Sequence, residues 1–170
     1  EGIRNNPDNA DLHFNAGTAY DKLNRFDDVV KSMETTLTLD PHHADAMNYL
    51  GYSYAERGVK IEEAIALTKQ AVALRPTNGY YVDSLAWAFF KKGLLSEALV
   101  EMKRAVALVG DDPVIYEHLG EIHLKQQHLS DGREALLHAL DQQAEPVDIV
   151  VFVQCTSPFL TEQDVQGVAQ

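Results

Sequence analysis

The chain has only one cysteine, Cys155, among its 170 residues. A single thiol cannot form an internal disulfide, and it cannot supply a metal site built from several thiolates. The sequence also lacks an apolar run long enough to cross a bilayer, which takes about eighteen residues or more, and it shows no signal-peptide pattern. These absences leave a packed core as the source of stability, and 45% of the residues are hydrophobic.

Basic residues are scarce as well. The chain has 14 Lys and Arg residues against 26 Asp and Glu residues, which gives a formal net charge of -12 at pH 7. A surface of this sign repels phosphate backbones and anionic membranes. We therefore expect no nucleic-acid partner and no direct insertion into a membrane.

A repeated pattern of small and aromatic residues runs along the chain. At intervals of thirty-four, thirty-five and thirty-four residues, one small-residue position holds Gly17, Gly51, Ala86 and Gly120. Three residues later on the same helix face stand Tyr20, Tyr54, Phe89 and His123. A second set of small residues in each unit comprises Val29, Ala64, Ala98 and Gly132. Small side chains allow two helices to approach closely, so each unit is predicted to be a pair of packed helices.

Prolines mark the ends of these units. Pro41 and Pro76 stop the second helix because proline lacks an N–H and clashes with the preceding turn. The whole pattern resembles the tetratricopeptide repeat family, whose helix-turn-helix unit follows W-x2-L-G-x2-Y, then A-x3-F, then P. The resemblance implies an all-α superhelix of four repeats, at residues 10–43, 44–78, 79–112 and 113–146. Pro7 stands where Pro41 does, so residues 1–9 are expected to end a preceding repeat of a longer array.

Two repeats depart from the pattern at the turn between their helices. The second has one extra residue in the turn at residues 58–62, and the fourth has Gln127 where glycine usually makes the turn. The second helix of the fourth repeat is predicted over residues 129–142. We expect Ser130 or Asp131 to cap its beginning.

The C-terminal tail, residues 147–170, breaks the helical pattern. Residues 147–153 are β-branched and apolar and predict a buried strand, and residues 161–169 predict a short helix. Residues 154–165 begin Gln-Cys-Thr-Ser-Pro and weakly resemble the strand-to-helix segment of nucleotide-sugar cytidylyltransferases. That family's glycine-rich, basic nucleotide-binding segment is absent from the sequence. The tail is therefore expected to rest on its own array, on a neighbouring molecule or on a further domain.

The tetratricopeptide resemblance also implies where a ligand would bind. First helices of such repeats line a concave groove, and the matching positions include Phe14, Asn48, Tyr52, Tyr80, Asp83, Trp87, Phe90, Glu117 and Glu121. We expect exposed aromatic side chains at the middle of the groove, with Trp87 at the centre, and carboxylates at the rim. Asn48 is expected to hydrogen-bond the backbone of a bound chain. The alternative is that the aromatic residues only pack neighbouring helices.

The histidines and paired carboxylates predict no metal, cofactor or catalytic site. His118, His123 and His128 are five residues apart, a spacing that turns each by about 140° around a continuous helix. Glu117 and Glu121 share a helix face, but no nucleophile or partner base accompanies them in the sequence. The single Cys155 is expected to be an inert apolar side chain.

The sequence thus favours a protein-protein interaction scaffold or adaptor that is not an enzyme and binds a peptide or protein segment in its groove. Alternatives are a repeat appendage of a nucleotide-sugar cytidylyltransferase and a self-assembly module, a homo-oligomer formed through the tail. The sequence style is similar to bacterial repeat proteins, including envelope lipoprotein adaptors. This analogy favours the bacterial cytoplasm or periplasm.

Overall fold

A computed structural model of the chain describes residue 4 and residues 6–142. These residues form eight α-helices and no strand: α1 (Ala10–Asp21), α2 (Phe26–Leu39), α3 (Ala44–Glu56), α4 (Ile61–Leu74), α5 (Gly79–Lys92), α6 (Leu95–Val109), α7 (Pro113–Lys125) and α8 (Leu129–Asp141). The predicted all-α superhelix of paired helices is confirmed. None of these helices combines the length and apolarity that a bilayer crossing demands. The strand and helix predicted in the tail lie outside the described residues.

Consecutive helices pack in pairs, α1 with α2, α3 with α4, α5 with α6 and α7 with α8. Each pair also contacts the next one through the second helix of the first pair, as α4 does with α5. In addition, α3 packs against α5 and α5 against α7. Because these first helices contact one another across the pairs, they form the inner face of the array.

The small-residue positions lie where paired helices approach most closely. Val29, Ala64 and Ala98 are fully buried in the second helices. A methyl group added at Gly51 would lie 2.7 Å from Cγ2 of Thr68 and 3.0 Å from the carbonyl oxygen of Ala64. No carbon atom fits at such distances, so the glycine sets the spacing of α3 and α4.

First and second helices begin differently. Asn9, His43, Asn78 and Asp112 each precede a first helix, and their side chains accept hydrogen bonds from its free backbone N–H groups. None of the second helices has a side-chain cap. The predicted cap of α8 at Ser130 or Asp131 is wrong, because the helix already begins at Leu129 and Ser130 instead donates to Asp131 at 3.1 Å.

Left-handed residues make the turns inside the pairs. Asn24, Gly58, Gly93 and Gln127 have φ of 56°, 66°, 84° and 64° and recur at the repeat interval. Lys60 is a further left-handed residue, with φ of 46°, and it lies in the turn where the sequence has one extra residue. These left-handed turns bring each second helix back along the first through connections of two to four residues.

Gln127→Gly is expected to stabilise the chain by about 1 kcal/mol, because a side chain in the left-handed region costs roughly 1–2 kcal/mol that glycine avoids. The measurement is urea unfolding followed by far-UV circular dichroism. Asn24→Gly is the matched control at the equivalent turn, and its gain should be smaller because asparagine tolerates this conformation. A larger gain at Asn24 than at Gln127 would contradict this account of the turns.

Candidate functional site

A cavity of about 170 Å³ opens on the inner face of the array, where α3, α5 and α7 meet. Its walls are Asn48, Tyr49 and Tyr52 from α3, Tyr80, Asp83 and Ser84 from α5, and Val114 and His118 from α7. We call this the groove cavity. The helix pairing explains its position, because inner-face residues one repeat apart come from neighbouring first helices. A larger depression of about 430 Å³ is lined by α8 alone, so among the described residues it is an open helix flank.

Asn48 supplies the one polar wall atom of the groove cavity that is buried and unsatisfied. Its Oδ1 atom is inaccessible to solvent and has no hydrogen-bond partner among the described residues. A buried acceptor without a donor costs about 1–3 kcal/mol. A donor brought by a ligand would remove that cost.

Asp83 and His118 form a buried pair across α5 and α7. The imidazole Nδ1 lies 2.8 Å from Oδ1 of Asp83, and both side chains are less than a tenth exposed. Burial lowers the pKa of His118, but the hydrogen bond and charge of Asp83, with the charges of Glu121 and Glu117, outweigh it and raise the pKa overall. The pair therefore favours an imidazolium beside a carboxylate at the floor of the cavity.

Trp87 supports this floor from beneath. Its ring stacks on His118 at a centroid distance of 4.1 Å and on Phe90 at 4.8 Å, and its indole N–H donates to Glu56 at 2.6 Å. The side chain is only 3% exposed. Trp87 thus differs from its expected place as an exposed aromatic at the centre of the groove and instead packs between helices, as the alternative interpretation held.

Carboxylates dominate the electrostatics of the groove. Burial together with the charges of Glu56, Asp83, Glu117 and Asp21 raises the pKa of Tyr52 to about 12. Burial likewise raises the pKa of Glu121, although His118 and Lys91 lower it. Lys91 lies over the Trp87 ring at 4.6 Å and 3.8 Å from Glu56. A cation would therefore be attracted to this surface and an anion repelled.

Four of the nine predicted groove residues line the cavity itself, namely Asn48, Tyr52, Tyr80 and Asp83. Tyr80 is the exposed aromatic of the set, at 55%, and its hydroxyl donates to Asp112 at 3.4 Å. Glu117 and Glu121 stand on α7 beside the cavity and act on it through their charge. Phe14 lies apart from it, on α1, where its ring contacts His43 at 5.0 Å and Tyr49 at 6.1 Å.

Val114 also lines the cavity, and three further cavity residues, Tyr49, Ser84 and His118, are not among the nine predicted ones. They follow one another at thirty-five and thirty-four residues, so they hold the same position in successive repeats. This position directly follows that of Asn48 and Asp83, which were predicted. The repeat interval could have found the set, because equivalent positions of neighbouring first helices must face one another.

Ser84, His118 and Asp83 share the cavity without forming a nucleophile-base arrangement. The Ser84 hydroxyl donates to the carbonyl oxygen of Tyr80 at 3.0 Å, one turn back in its own helix. Nucleophilic catalysis requires instead that the hydroxyl bond to the base.

Sequence comparisons place this architecture among known repeats. Residues 14–79 match a family model described as tetratricopeptide repeat. The TPR repeat-containing protein PA4667 of Pseudomonas aeruginosa is 29% identical over 121 residues, which cover 71% of this chain and 20% of that protein. The chain thus spans a fifth of the length of this curated relative. These comparisons do not support the cytidylyltransferase resemblance of residues 154–165, which lie outside the described residues.

Solved structures share the same arrangement of helices. TTC0263, a thermophilic TPR protein of Thermus thermophilus, superposes with a TM-score of 0.76 over 91% of this chain and 84% of its own, at 20% identity. MamA of Desulfovibrio magneticus RS-1 reaches 0.71 over 82% of this chain and 78% of its own, at 19% identity. At these identities the likeness establishes the fold. Proteins of this fold typically bind proteins or peptides on their concave surface. Residues 14–79 thus match a tetratricopeptide repeat model, and the helices of the described chain share the fold of solved tetratricopeptide repeat proteins.

Proposed function

We propose that the chain is a non-catalytic adaptor whose groove cavity binds an extended segment of another protein, with a Lys or Arg side chain of that segment inside the cavity. The observation that carries the proposal is the unpartnered Oδ1 atom of Asn48, buried in a wall that is otherwise surrounded by carboxylates. Because this atom is inaccessible to solvent in the unbound chain, the Asn48 side chain turns toward the cavity when an outside donor binds it. Extended chains present backbone N–H groups that can serve as that donor.

Charge favours a cationic side chain beside this contact. Five carboxylates, those of Asp21, Glu56, Asp83, Glu117 and Glu121, act on Tyr52 or His118 at the cavity. Three of them already have partners, since Asp83 pairs with His118, Glu56 with Trp87 and Lys91, and Asp21 accepts a hydrogen bond from Tyr49. The remaining negative charge is available to a ligand. Such attraction is screened over about 8 Å at physiological salt, so binding should weaken as salt is added.

Apolar contact would come from the tyrosines. Tyr80 is largely exposed at the cavity mouth, and Tyr52 is half-buried in the wall. Burying an apolar surface stabilises a complex by about 25 cal/mol per Å². We therefore expect an apolar residue next to the Lys or Arg of the bound segment.

The proposal is tested by selecting peptides from a random-sequence phage library on the chain and titrating the most enriched peptide by calorimetry. Enriched sequences should carry Lys or Arg beside apolar residues. Asn48→Ala should weaken binding about 5-fold, the equivalent of one hydrogen bond of about 1 kcal/mol. Asn15→Ala, at an exposed asparagine of α1 outside the cavity, is the control and should bind as the unchanged chain does.

Two results would count against the adaptor. Enrichment of acidic peptides would contradict the charge argument, and equal affinities of the Asn48→Ala and unchanged chains would remove the cavity from the binding site. A chain that selects no peptide but grows in size with concentration would favour the self-assembly alternative.

A further inference from the structure

A second cluster of polar side chains lies away from the groove, at the turn between α7 and α8. His123 belongs to the last part of α7, His128 to the turn, and Asp131 to the first turn of α8. One nitrogen of each histidine and one oxygen of Asp131 lie within 4.8 Å of one another. Among the described residues this is the one group of three or more His, Cys, Asp or Glu side chains that converges in this way.

The turn brings together two histidines that a continuous helix would separate. α7 ends at Lys125, and Gln127 adopts the left-handed conformation with φ of 64°. The backbone N–H of His128 then donates to the carbonyl oxygen of His123 at 2.9 Å. The two imidazole centroids are 5.9 Å apart as a result. The expected divergence of about 140° therefore fails for this pair, because the helix ends between them.

His123 is itself incompletely satisfied. The residue is only 6% exposed, and its Nδ1 atom is buried without a hydrogen-bond partner among the described residues. Buried polar atoms in native proteins nearly always have a partner. The imidazole of His123 therefore has a nitrogen that no described residue pairs, and binding of a cation by this ring competes with no hydrogen bond at that atom.

We propose that His123, His128 and Asp131 bind a zinc ion that joins the end of α7 to the beginning of α8. Two imidazole nitrogens and one carboxylate oxygen are donors that zinc accepts, whereas Mg²⁺ and Ca²⁺ favour sites made of oxygen atoms alone. Zinc binds its donors at about 2.0–2.2 Å in a tetrahedron. To reach these distances the three donor atoms must move closer to one another. The exposed side chains of His128 and Asp131 can do so by rotating on the surface. The fourth position faces water.

The site is tested by titrating the metal-free 170-residue chain with Co²⁺ and following the visible absorption of the tetrahedral ion, then displacing it with Zn²⁺. The unchanged chain should bind one equivalent, and His128→Ala and Asp131→Asn should each weaken binding by at least about 10-fold. Both residues are exposed, so far-UV circular dichroism should show an intact fold. His42→Ala removes an exposed histidine far from the cluster and should bind as the unchanged chain does.

Thermal unfolding provides an independent reading. Zn²⁺ should raise the midpoint of the unchanged chain and of His42→Ala by more than that of His128→Ala, because the stabilisation of the folded state depends on the affinity of the site. Equal cobalt affinities in all the chains, or a loss confined to His42→Ala, would overturn the proposal and identify the binding as adventitious. The outcome is independent of peptide binding, since the cluster contributes no residue to the groove cavity.

Discussion

Trp87→Ala should lower the free energy of unfolding by about 3–5 kcal/mol, the usual cost of removing a large aromatic side chain from a core. The substitution leaves a void between His118 and Phe90, on which the indole stacks, and it frees Glu56 from its hydrogen bond. The measurement is urea unfolding followed by far-UV circular dichroism, which does not depend on the lost tryptophan.

Tyr80→Ala is the matched control, because it removes an aromatic side chain from the same helix at an exposed position. Exposed substitutions of this kind usually change stability by no more than about 0.5 kcal/mol. Trp87→Phe should fall between the two, since it keeps a stacked ring but loses the bond to Glu56. If Tyr80→Ala lowered the free energy of unfolding as much as Trp87→Ala, the conclusion that Trp87 is a buried side chain that packs beneath the cavity floor would be contradicted.

Peptide binding distinguishes further between Tyr80, which is expected to contact the ligand, and Trp87, which packs beneath His118. Tyr80→Ala should weaken the peptide selected on the groove while leaving the fold intact, because Tyr80 offers its ring to a ligand. Trp87→Ala should weaken the same peptide through the displaced His118, since the imidazole loses the surface on which it stacks. Repeats contact only their neighbours, so a defect in α5 also loosens its packing against α3 and α7.

The repeat architecture was predictable because small residues, prolines and turn residues recur at regular intervals along the sequence. Positions such as Gly51 and Ala64 recur at the repeat interval, and their small size is required wherever two paired helices touch. Helices α2 and α4 end two residues before Pro41 and Pro76, the prolines that were predicted to stop them. Each of these signals involves residues close together in the sequence.

The depth of a groove residue was not predictable in the same way. Counting helical positions correctly places Trp87 on the inner face of α5. How deeply its side chain is buried depends instead on which residues of α3 and α7 pack against it. Glu56 and His118 cover the indole from helices thirty-one residues away on either side. The spacing of residues within one helix carries no information about side chains that come from other helices. The proximity of His123 and His128 was not predicted for a related reason. The rotation of about 140° applies only within a continuous helix, and α7 ends between these two residues.

Asp83→Ala is the other substitution with a large expected effect, about 3–5 kcal/mol of unfolding free energy at pH 6, because it leaves a buried histidine without its charged partner. Asp83→Asn should cost less. The amide oxygen can still accept from Nδ1 of His118, so this variant removes the charge and keeps the hydrogen bond. The comparison isolates the electrostatic part of the pair.

The sign of the pH dependence follows from the raised pKa of His118, whose ordinary value is about 6.5. A raised folded-state pKa means that the folded chain holds the proton more tightly than the unfolded chain. This stability is fully present below about pH 6.5 and is lost as the pH rises through the folded-state pKa. Asp83→Asn removes the carboxylate charge that favours the proton and leaves burial, which opposes it.

The difference in unfolding free energy between the unchanged chain and Asp83→Asn should therefore be largest near pH 6 and shrink as the pH rises toward 9. Urea unfolding at several pH values measures it, and taking the difference cancels groups that both chains share, including Glu121 and His123. His118→Gln provides the control, because without the imidazole the Asp83→Asn substitution should have the same effect at every pH. A difference that stays constant between about pH 6 and 9 would mean that His118 is neutral in the folded chain over this range. The floor of the groove would then carry one more negative charge for a cationic ligand.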